Sequence, residues 1–82
     1  MSTYNESVAK KVEEWFKNNF PFDSSIYPNT IEGEARYNAD LQDIRNSICW
    51  TTAIRCYNEI RMFDTNVNEV LNYLEFYAEN LC

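Results

Sequence analysis

Apolar residues recur at helical spacing in three segments of the chain, and the first of these segments lies near the amino terminus. Its apolar residues follow an i, i+4, i+7, i+8 pattern, which is typical of one buried helix face: Val8, Val12, Trp15 and Phe16. Thr3 and Glu6 have the spacing of a capping box, and Pro21 keeps the residue before it out of the helical region. The pattern therefore predicts a helix near residues 4–19.

The second segment covers residues 35–63, which contain neither proline nor glycine, and it predicts a long middle helix. Its apolar seam shifts along the helix as follows: Tyr37, Leu41, Ile44, Ile48 and Thr52, then Cys49, Ala53, Cys56, Ile60 and Phe63. A straight helix of this length would span about 43 Å, whereas a compact chain of this size has a radius of gyration of roughly 12 Å. We therefore expect either a bend, with Thr51 and Thr52 as the weak point, or a projection beyond the bundle.

The third segment predicts a helix over residues 67–80, with Asn66 as its cap and Glu69 three residues later. The predicted buried stripe consists of Val67, Val70, Leu71, Leu74, Ala78 and Leu81, and Phe76 points away from it. Between the first two helices, residues 20–34 hold both prolines and the only glycine, which indicates a loop. This loop is too apolar to remain unpacked, because it contains Phe20, Phe22, Ile26, Tyr27 and Ile31. The sequence thus predicts an all-α fold, in which residues 1–82 form one compact domain of three helices with an ordered, aromatic-rich loop.

The chain lacks the residues that common catalytic and metal sites require. It has no histidine, and a single glycine excludes the phosphate-binding loop and the dinucleotide fingerprint. The three cysteines form no metal-binding motif, and Cys49 and Cys56 would stand about 10.5 Å apart on one helix, too far for a disulfide. We expect Cys49, Cys56 and Cys82 to be reduced thiols, the first two of them buried, and we expect no cofactor, no metal and no enzymatic activity. The enzymatic alternative is a hydrolase that uses paired carboxylates, either Glu32 with Glu34 or Asp40 with Asp43.

The middle helix carries a second apolar stripe beside its buried seam. Trp50, Ile54, Tyr57 and Arg61 follow i, i+4, i+7 and i+11 spacing, and tryptophan, tyrosine and arginine dominate the energetics of many protein interfaces. Two interpretations remain open. The stripe can pack against a second neighbour within the bundle, or it can form a surface for a partner.

Charge narrows the partner class. The formal net charge is −6, and no lysine or arginine follows Arg61, although Asp64, Glu69, Glu75 and Glu79 do. This distribution disfavours direct binding to nucleic acid or to an anionic membrane and favours a protein partner with a basic surface. No secretory signal or membrane span is present, so we expect a cytoplasmic protein.

The sequence therefore predicts a small acidic, non-enzymatic binding protein that inhibits or regulates a larger macromolecule. A basic nucleic-acid-handling protein is the expected target, as for phage-encoded inhibitors such as anti-CRISPR proteins or nucleic-acid mimics. The candidate partner-binding residues are Trp50, Ile54, Tyr57, Arg61, Asp64, Glu69, Glu75, Phe76 and Glu79. The alternative is a structural or regulatory subunit, or a homodimer that uses Trp50, Ile54 and Tyr57.

Overall fold

Four α-helices and one short 3₁₀ helix make up the fold of residues 5–81, the part of the chain that the computed structural model describes. They are α1 (Glu6–Asn19), the 3₁₀ helix (Ser24–Ile26), α2 (Ile31–Ser47), α3 (Trp50–Ile60) and α4 (Val67–Glu79). No strand occurs within these residues, so the all-α class is confirmed. The predicted number of three helices is wrong, because the predicted middle helix is two helices, α2 and α3.

The break between α2 and α3 falls at Ile48 and Cys49, which both have extended backbone conformations. The hydroxyl of Thr52 donates to the backbone carbonyl of Ser47 at 2.7 Å. This bond satisfies one of the carbonyl groups that the end of α2 leaves without a helical partner. The break therefore lies just before the predicted weak point, because Thr51 and Thr52 belong to the first turn of α3.

Helices α1, α3 and α4 form a three-helix bundle whose directions are set by hydrogen bonds between the helices. Two hydrogen bonds join α1 and its cap to α4, Asn5 with Tyr73 and Ala9 with Tyr77. The residue numbers increase in both helices from one bond to the next, so these helices are parallel. Along α1 and α3 the bonded positions run in opposite order, which makes these helices antiparallel: Trp15 with Glu59, and Asn19 with Arg55. Helix α3 is therefore antiparallel to both of its neighbours.

The core of the bundle consists of the apolar stripes that the sequence predicts for its three helices. Its buried members are Val8, Val12, Trp15, Phe16, Ala53, Cys56, Val70, Leu74 and Ala78. Burial of a side chain such as Leu74 contributes about 1.5–3 kcal/mol. Two predicted core positions are wrong. Cys49 is exposed because it caps α3, and Phe63 is exposed because it follows the end of that helix.

Asparagine side chains cap the amino-terminal ends of α1 and α4, and the cap of α4 is the residue that the sequence predicts. The Asn66 Oδ1 atom accepts a hydrogen bond from the Glu69 backbone N–H at 2.9 Å, which confirms the predicted cap. Helix α1 is capped by Asn5, whose Oδ1 atom accepts from the Val8 N–H at 3.3 Å. The predicted cap Thr3 lies outside the described residues, as does Cys82.

Residues 20–47, called the arm here, extend the molecule beyond one end of the bundle. The described chain measures 45 × 23 × 20 Å, and its radius of gyration is 14.2 Å. Within the arm, the rings of Phe22, Tyr27 and Tyr37 pack together with centroid separations of 5.4–5.8 Å. The predicted middle segment is thus accommodated in both of the expected ways, by a break and by a projection.

The loop between α1 and α2 packs less completely than the sequence predicts. Phe20 contacts the bundle core, and Phe22 and Tyr27 pack against α2. Ile26 and Ile31 are exposed, because the arm leaves no second element beside them. None of the helices within residues 5–81 combines the length and the apolar composition that a bilayer span needs.

Candidate partner-binding surface

The second apolar stripe of α3 is covered unevenly. Tyr57 is half-buried against the core, whereas Trp50 and Ile54 retain 52% and 39% of their full exposure. Arg61 is exposed at the end of α3, where its backbone adopts a left-handed conformation with φ 55°. The first interpretation of the stripe, a second neighbour within the bundle, therefore holds for Tyr57, and Trp50 and Ile54 lie largely uncovered at the start of the helix.

The exposed residues of α3 lie on the side that faces away from α1. Arg55 and Glu59 face α1, since they bond to Asn19 and to Trp15. Trp50 precedes Arg55 by five residues, and Ile54 precedes Glu59 by five residues. Because each residue turns the helix by about 100°, these separations correspond to about 140° around the axis. Trp50 and Ile54 are therefore directed away from the α1 side.

Helix α4 also has one side that faces α1 and one side that faces away from it. Tyr73 and Tyr77 face α1, because they share hydrogen bonds with residues of that helix and its cap. Glu75 and Glu79 each follow one of these tyrosines by two residues, or about 200° around the axis. Both carboxylates therefore lie on the side away from α1. We call the surface formed by Trp50 and Ile54 of α3 with Glu75 and Glu79 of α4 the open groove.

One end of the open groove is closed by the junction between α2 and α3. Ile48, Arg45, Glu75, Ala78 and Glu79 line a depression of about 160 Å³ there. The guanidinium of Arg45 is used within the chain, because its Nε and Nη2 atoms donate to the carbonyl groups of Ala78 and Glu79 at 3.0 and 3.1 Å. Arg45 therefore holds the arm against the carboxyl end of α4 at the edge of the groove.

Neither Glu75 nor Glu79 is in an ion pair within the described residues, although the Arg45 side chain lines the same depression as both of them. Within residues 5–81, the ion pairs shorter than 4 Å join Lys17 to Glu13 and Arg55 to Glu59. Both of these pairs form between residues one helical turn apart. Lys17 and Arg55 are thus paired away from the acids of the open groove. The groove therefore presents apolar side chains along α3 and an acidic edge along α4, with the Arg45 cation at its closed end.

Two of the predicted acids, Asp64 and Glu69, lie away from the open groove. Asp64 accepts a hydrogen bond from the Nδ2 atom of Asn5 at 2.9 Å. Glu69 accepts hydrogen bonds from the hydroxyls of Thr65 and Tyr73, the second at 3.0 Å. Both acids thus lie at the amino-terminal end of α4 and are engaged within the chain.

Phe76 is also separate from the open groove. It is 60% exposed on the α1 side of α4. Together with Phe16, Tyr77 and Leu81, it lines an open depression of about 350 Å³ between α1 and α4. The acidic residues and aromatics that the sequence grouped into one surface are therefore divided between two sides of the bundle.

The carboxylates of the enzymatic alternative lie on the arm. Glu32 and Asp40 line a depression of about 360 Å³, with Arg36 one turn from each of them. Asp40 Oδ2 accepts a hydrogen bond from the Tyr27 hydroxyl at 2.6 Å, and this bond raises the pKa of Tyr27. Glu34 and Asp43 do not line this depression, so neither predicted pair lines it together. No group of three acids or cysteines within the described residues is placed to hold a metal ion.

The exposed thiol of Cys49 is a feature that the sequence interpretation missed. This thiol lies at the start of α3, and hydrogen bonding with the backbone and the side chain of Thr52 lowers its pKa. Burial instead raises the pKa of the Cys56 thiol to about 12. The contrast depends on the break between α2 and α3, because Cys49 would lie in the interior of an unbroken helix.

The fold and the open groove together define a class, a small acidic all-α protein in which a bundle of three helices leaves one groove uncovered. Comparison with protein-family models, with curated proteins and with solved structures finds no match.

Proposed function

We propose that this chain is a non-enzymatic binding protein that docks a basic protein surface on its open groove and thereby inhibits or regulates the partner. The observation that carries the proposal is the exposure of Trp50 and Ile54, which by helix geometry lie on the same side of the α3–α4 pair as Glu75 and Glu79. An apolar centre with an acidic edge supplies the two components of a specific protein interface, affinity from burial and selectivity from charge.

The exposed apolar surface is large enough to contribute to affinity. Trp50 leaves about 100 Å² uncovered, given the 150–250 Å² that an aromatic side chain can bury. At about 25 cal/mol per Å², full burial of this area contributes about 2.5 kcal/mol. That energy corresponds to a factor of about 60 in the dissociation constant, since about 1.4 kcal/mol is a factor of ten. Trp50 is therefore expected to contribute the largest share of the affinity from apolar burial.

Charge defines the partner class that the proposal favours. The chain carries a formal charge of −6, and Lys17, Arg45 and Arg55 are engaged in bonds within it. Proteins that handle nucleic acids present basic surfaces to phosphate groups, so such a surface is complementary to the open groove. Inhibition of a nucleic-acid-handling protein in the cytoplasm, as by a phage-type inhibitor or an anti-CRISPR protein, is the specific form of the proposal. Direct binding to nucleic acid or to membranes forms no part of it.

Affinity capture with matched variants tests the proposal. Wild-type protein, the double variant Trp50→Ala and Ile54→Ala, and the control Phe76→Ala are immobilised and exposed to extracts of the host cell. We expect a basic protein on the wild type and on the control, but not on the double variant. We also expect its release as salt rises from about 50 to 500 mM, since salt screens exposed charges. The proposal would be contradicted if the double variant also retained the basic protein, or if salt did not affect the binding of that protein.

A homodimer through the same groove is the second candidate, because exposed apolar side chains on a helix are also typical of self-association. Sedimentation equilibrium distinguishes it from the first. A mass of 9.8 kDa at micromolar concentration excludes the homodimer, and a doubled mass that Ile54→Glu returns to the monomer supports it.

A further inference from the structure

We infer that the element that binds in the open groove is a single amphipathic α-helix of the partner, with lysine or arginine along its polar side. This inference rests on the proposed function and names the part of the partner that is recognised. The resulting complex is a four-helix bundle, in which three helices come from this chain and one comes from the partner.

The helical form of the bound element follows from the way that α1 packs. Helices α3 and α4 form an antiparallel hairpin, and such a pair has a groove on each side. Helix α1 fills one groove with four side chains that are almost completely buried: Val8, Ala9, Val12 and Phe16. The other groove has the same two walls, and α2 contacts it at the carboxyl end of α4 through Arg45. Packed helices lie about 8–10 Å apart, so a fourth helix has the diameter that this groove requires, and four-helix bundles are built in this way.

The length of the groove limits the length of the bound helix. Helix α3 runs from Trp50 to Ile60, which is 11 residues, or about 16 Å at 1.5 Å per residue. The α2–α3 junction at Ile48 and Arg45 closes the other end. A partner helix of about three turns therefore covers the groove, with apolar residues at i, i+3, i+4 and i+7 against Trp50 and Ile54.

The charge of the helix follows from Glu75 and Glu79. These acids lie one turn apart on α4, where like charges at i, i+4 destabilise a helix by about 0.2–0.5 kcal/mol. A lysine or arginine pair at the same spacing on the bound helix removes this repulsion and adds attraction. A second copy of the chain would bring the same two acids to the same edge, which disfavours self-association in this groove.

Three synthetic peptides of about 14 residues test the inference. The first is an amphipathic Leu/Lys helix, the second has glutamate in place of every lysine, and the third has the Leu/Lys composition in scrambled order. Binding is measured by calorimetry at about 50 mM salt. The site is located from the backbone amide and indole N–H signals in nuclear magnetic resonance spectra. Circular dichroism reports whether the bound peptide is helical.

We expect the ordered Leu/Lys peptide to bind as a helix and to shift the indole signal of Trp50 more than that of Trp15. Affinity should fall by about tenfold or more for Ile54→Glu and for the pair Glu75→Lys and Glu79→Lys, since tenfold corresponds to about 1.4 kcal/mol. The control Phe76→Ala should bind as the wild type does, because Phe76 lies on the α1 side of α4. Circular dichroism of each free variant verifies that it remains folded.

Equal binding of the scrambled peptide would overturn the inference, because charge alone would then explain the affinity. Equal binding of the Leu/Glu peptide would overturn the assignment of lysine or arginine, and a dimer that Ile54→Glu dissociates would assign the groove to a second copy. If the natural partner requires Trp50 and Ile54 but no peptide binds, the helix inference fails and the proposed function stands. If the peptide binds but partner capture ignores both residues, the proposed function fails instead.

Discussion

Arg45 is the residue on which the attachment of the arm to the bundle depends most directly. Its guanidinium donates to three carbonyl groups at the carboxyl end of α4: Ala78 at 3.0 Å, Glu79 at 3.1 Å and Leu81 at 3.4 Å. The last carbonyls of a helix lack the N–H partners of its interior and carry the negative end of the helix dipole. Here the Ala78 carbonyl also accepts from the Leu81 N–H at 3.4 Å. Arg45→Met keeps the apolar stem of the side chain while it removes the charge and all of the donors.

The expected loss can be worked out from these contacts. A hydrogen bond to a charged group contributes about 1.5–3 kcal/mol, and a cation at a helix carboxyl end adds about 0.3–1 kcal/mol. Arg45 is only half-buried, so solvent reduces both contributions. We expect Arg45→Met to lower the free energy of unfolding by about 2 kcal/mol. For a domain of this size, that loss corresponds to a fall of about 8–16 °C in the thermal midpoint.

Thermal and urea unfolding followed by circular dichroism measure this loss. Arg36→Met is the matched control, because Arg36 lies on the same helix and is exposed, and surface substitutions usually change stability by less than about 0.5 kcal/mol. If the two variants unfold at the same midpoint, the bonds from Arg45 do not hold the arm to the bundle, and the reasoning from its geometry is refuted.

Three other expected outcomes test separate contacts. Gly33→Ala should destabilise the arm despite the helix preference of alanine, about 1 kcal/mol, because its Cβ would stand 2.0 Å from the Pro28 carbonyl oxygen. A higher thermal midpoint would contradict this close approach. Arg61→Gly should raise the free energy of unfolding by about 0.5–1 kcal/mol in urea titration. The left-handed conformation of Arg61 costs about 1–2 kcal/mol, and glycine loses part of this gain, about 0.5–1 kcal/mol, in backbone entropy; an unchanged midpoint would show that the end of α3 is not strained. In the folded protein, iodoacetamide should modify Cys49 near neutral pH and leave Cys56 unmodified, because a lowered pKa increases the thiolate fraction of Cys49 while the pKa of Cys56 is about 12. Peptide mapping by mass spectrometry measures the two rates, and similar rates would be inconsistent with burial of Cys56.

The sequence by itself determined the elements whose signals are local. The spacing of Val8, Val12 and Phe16 predicts both α1 and its buried face, and the Asn66 cap marks the start of α4 within one residue. Such features depend on contacts within one or two turns of a helix, so they can be read from neighbouring residues. The same periodicity identified Trp50 and Ile54 as a stripe separate from the core.

Only the tertiary structure decided where the middle segment breaks and which side of the hairpin remains open. No proline or glycine marks Ile48 and Cys49, so local preference does not place the break there. The break is favoured instead by the hydrogen bonds from Arg45 to the end of α4, which join residues more than thirty positions apart in sequence. Exposure of Trp50 and Ile54 likewise depends on which of two grooves α1 occupies. Both sides of α3 are apolar in sequence, and the side that remains exposed is set by packing between helices, which the periodicity of a single helix does not contain.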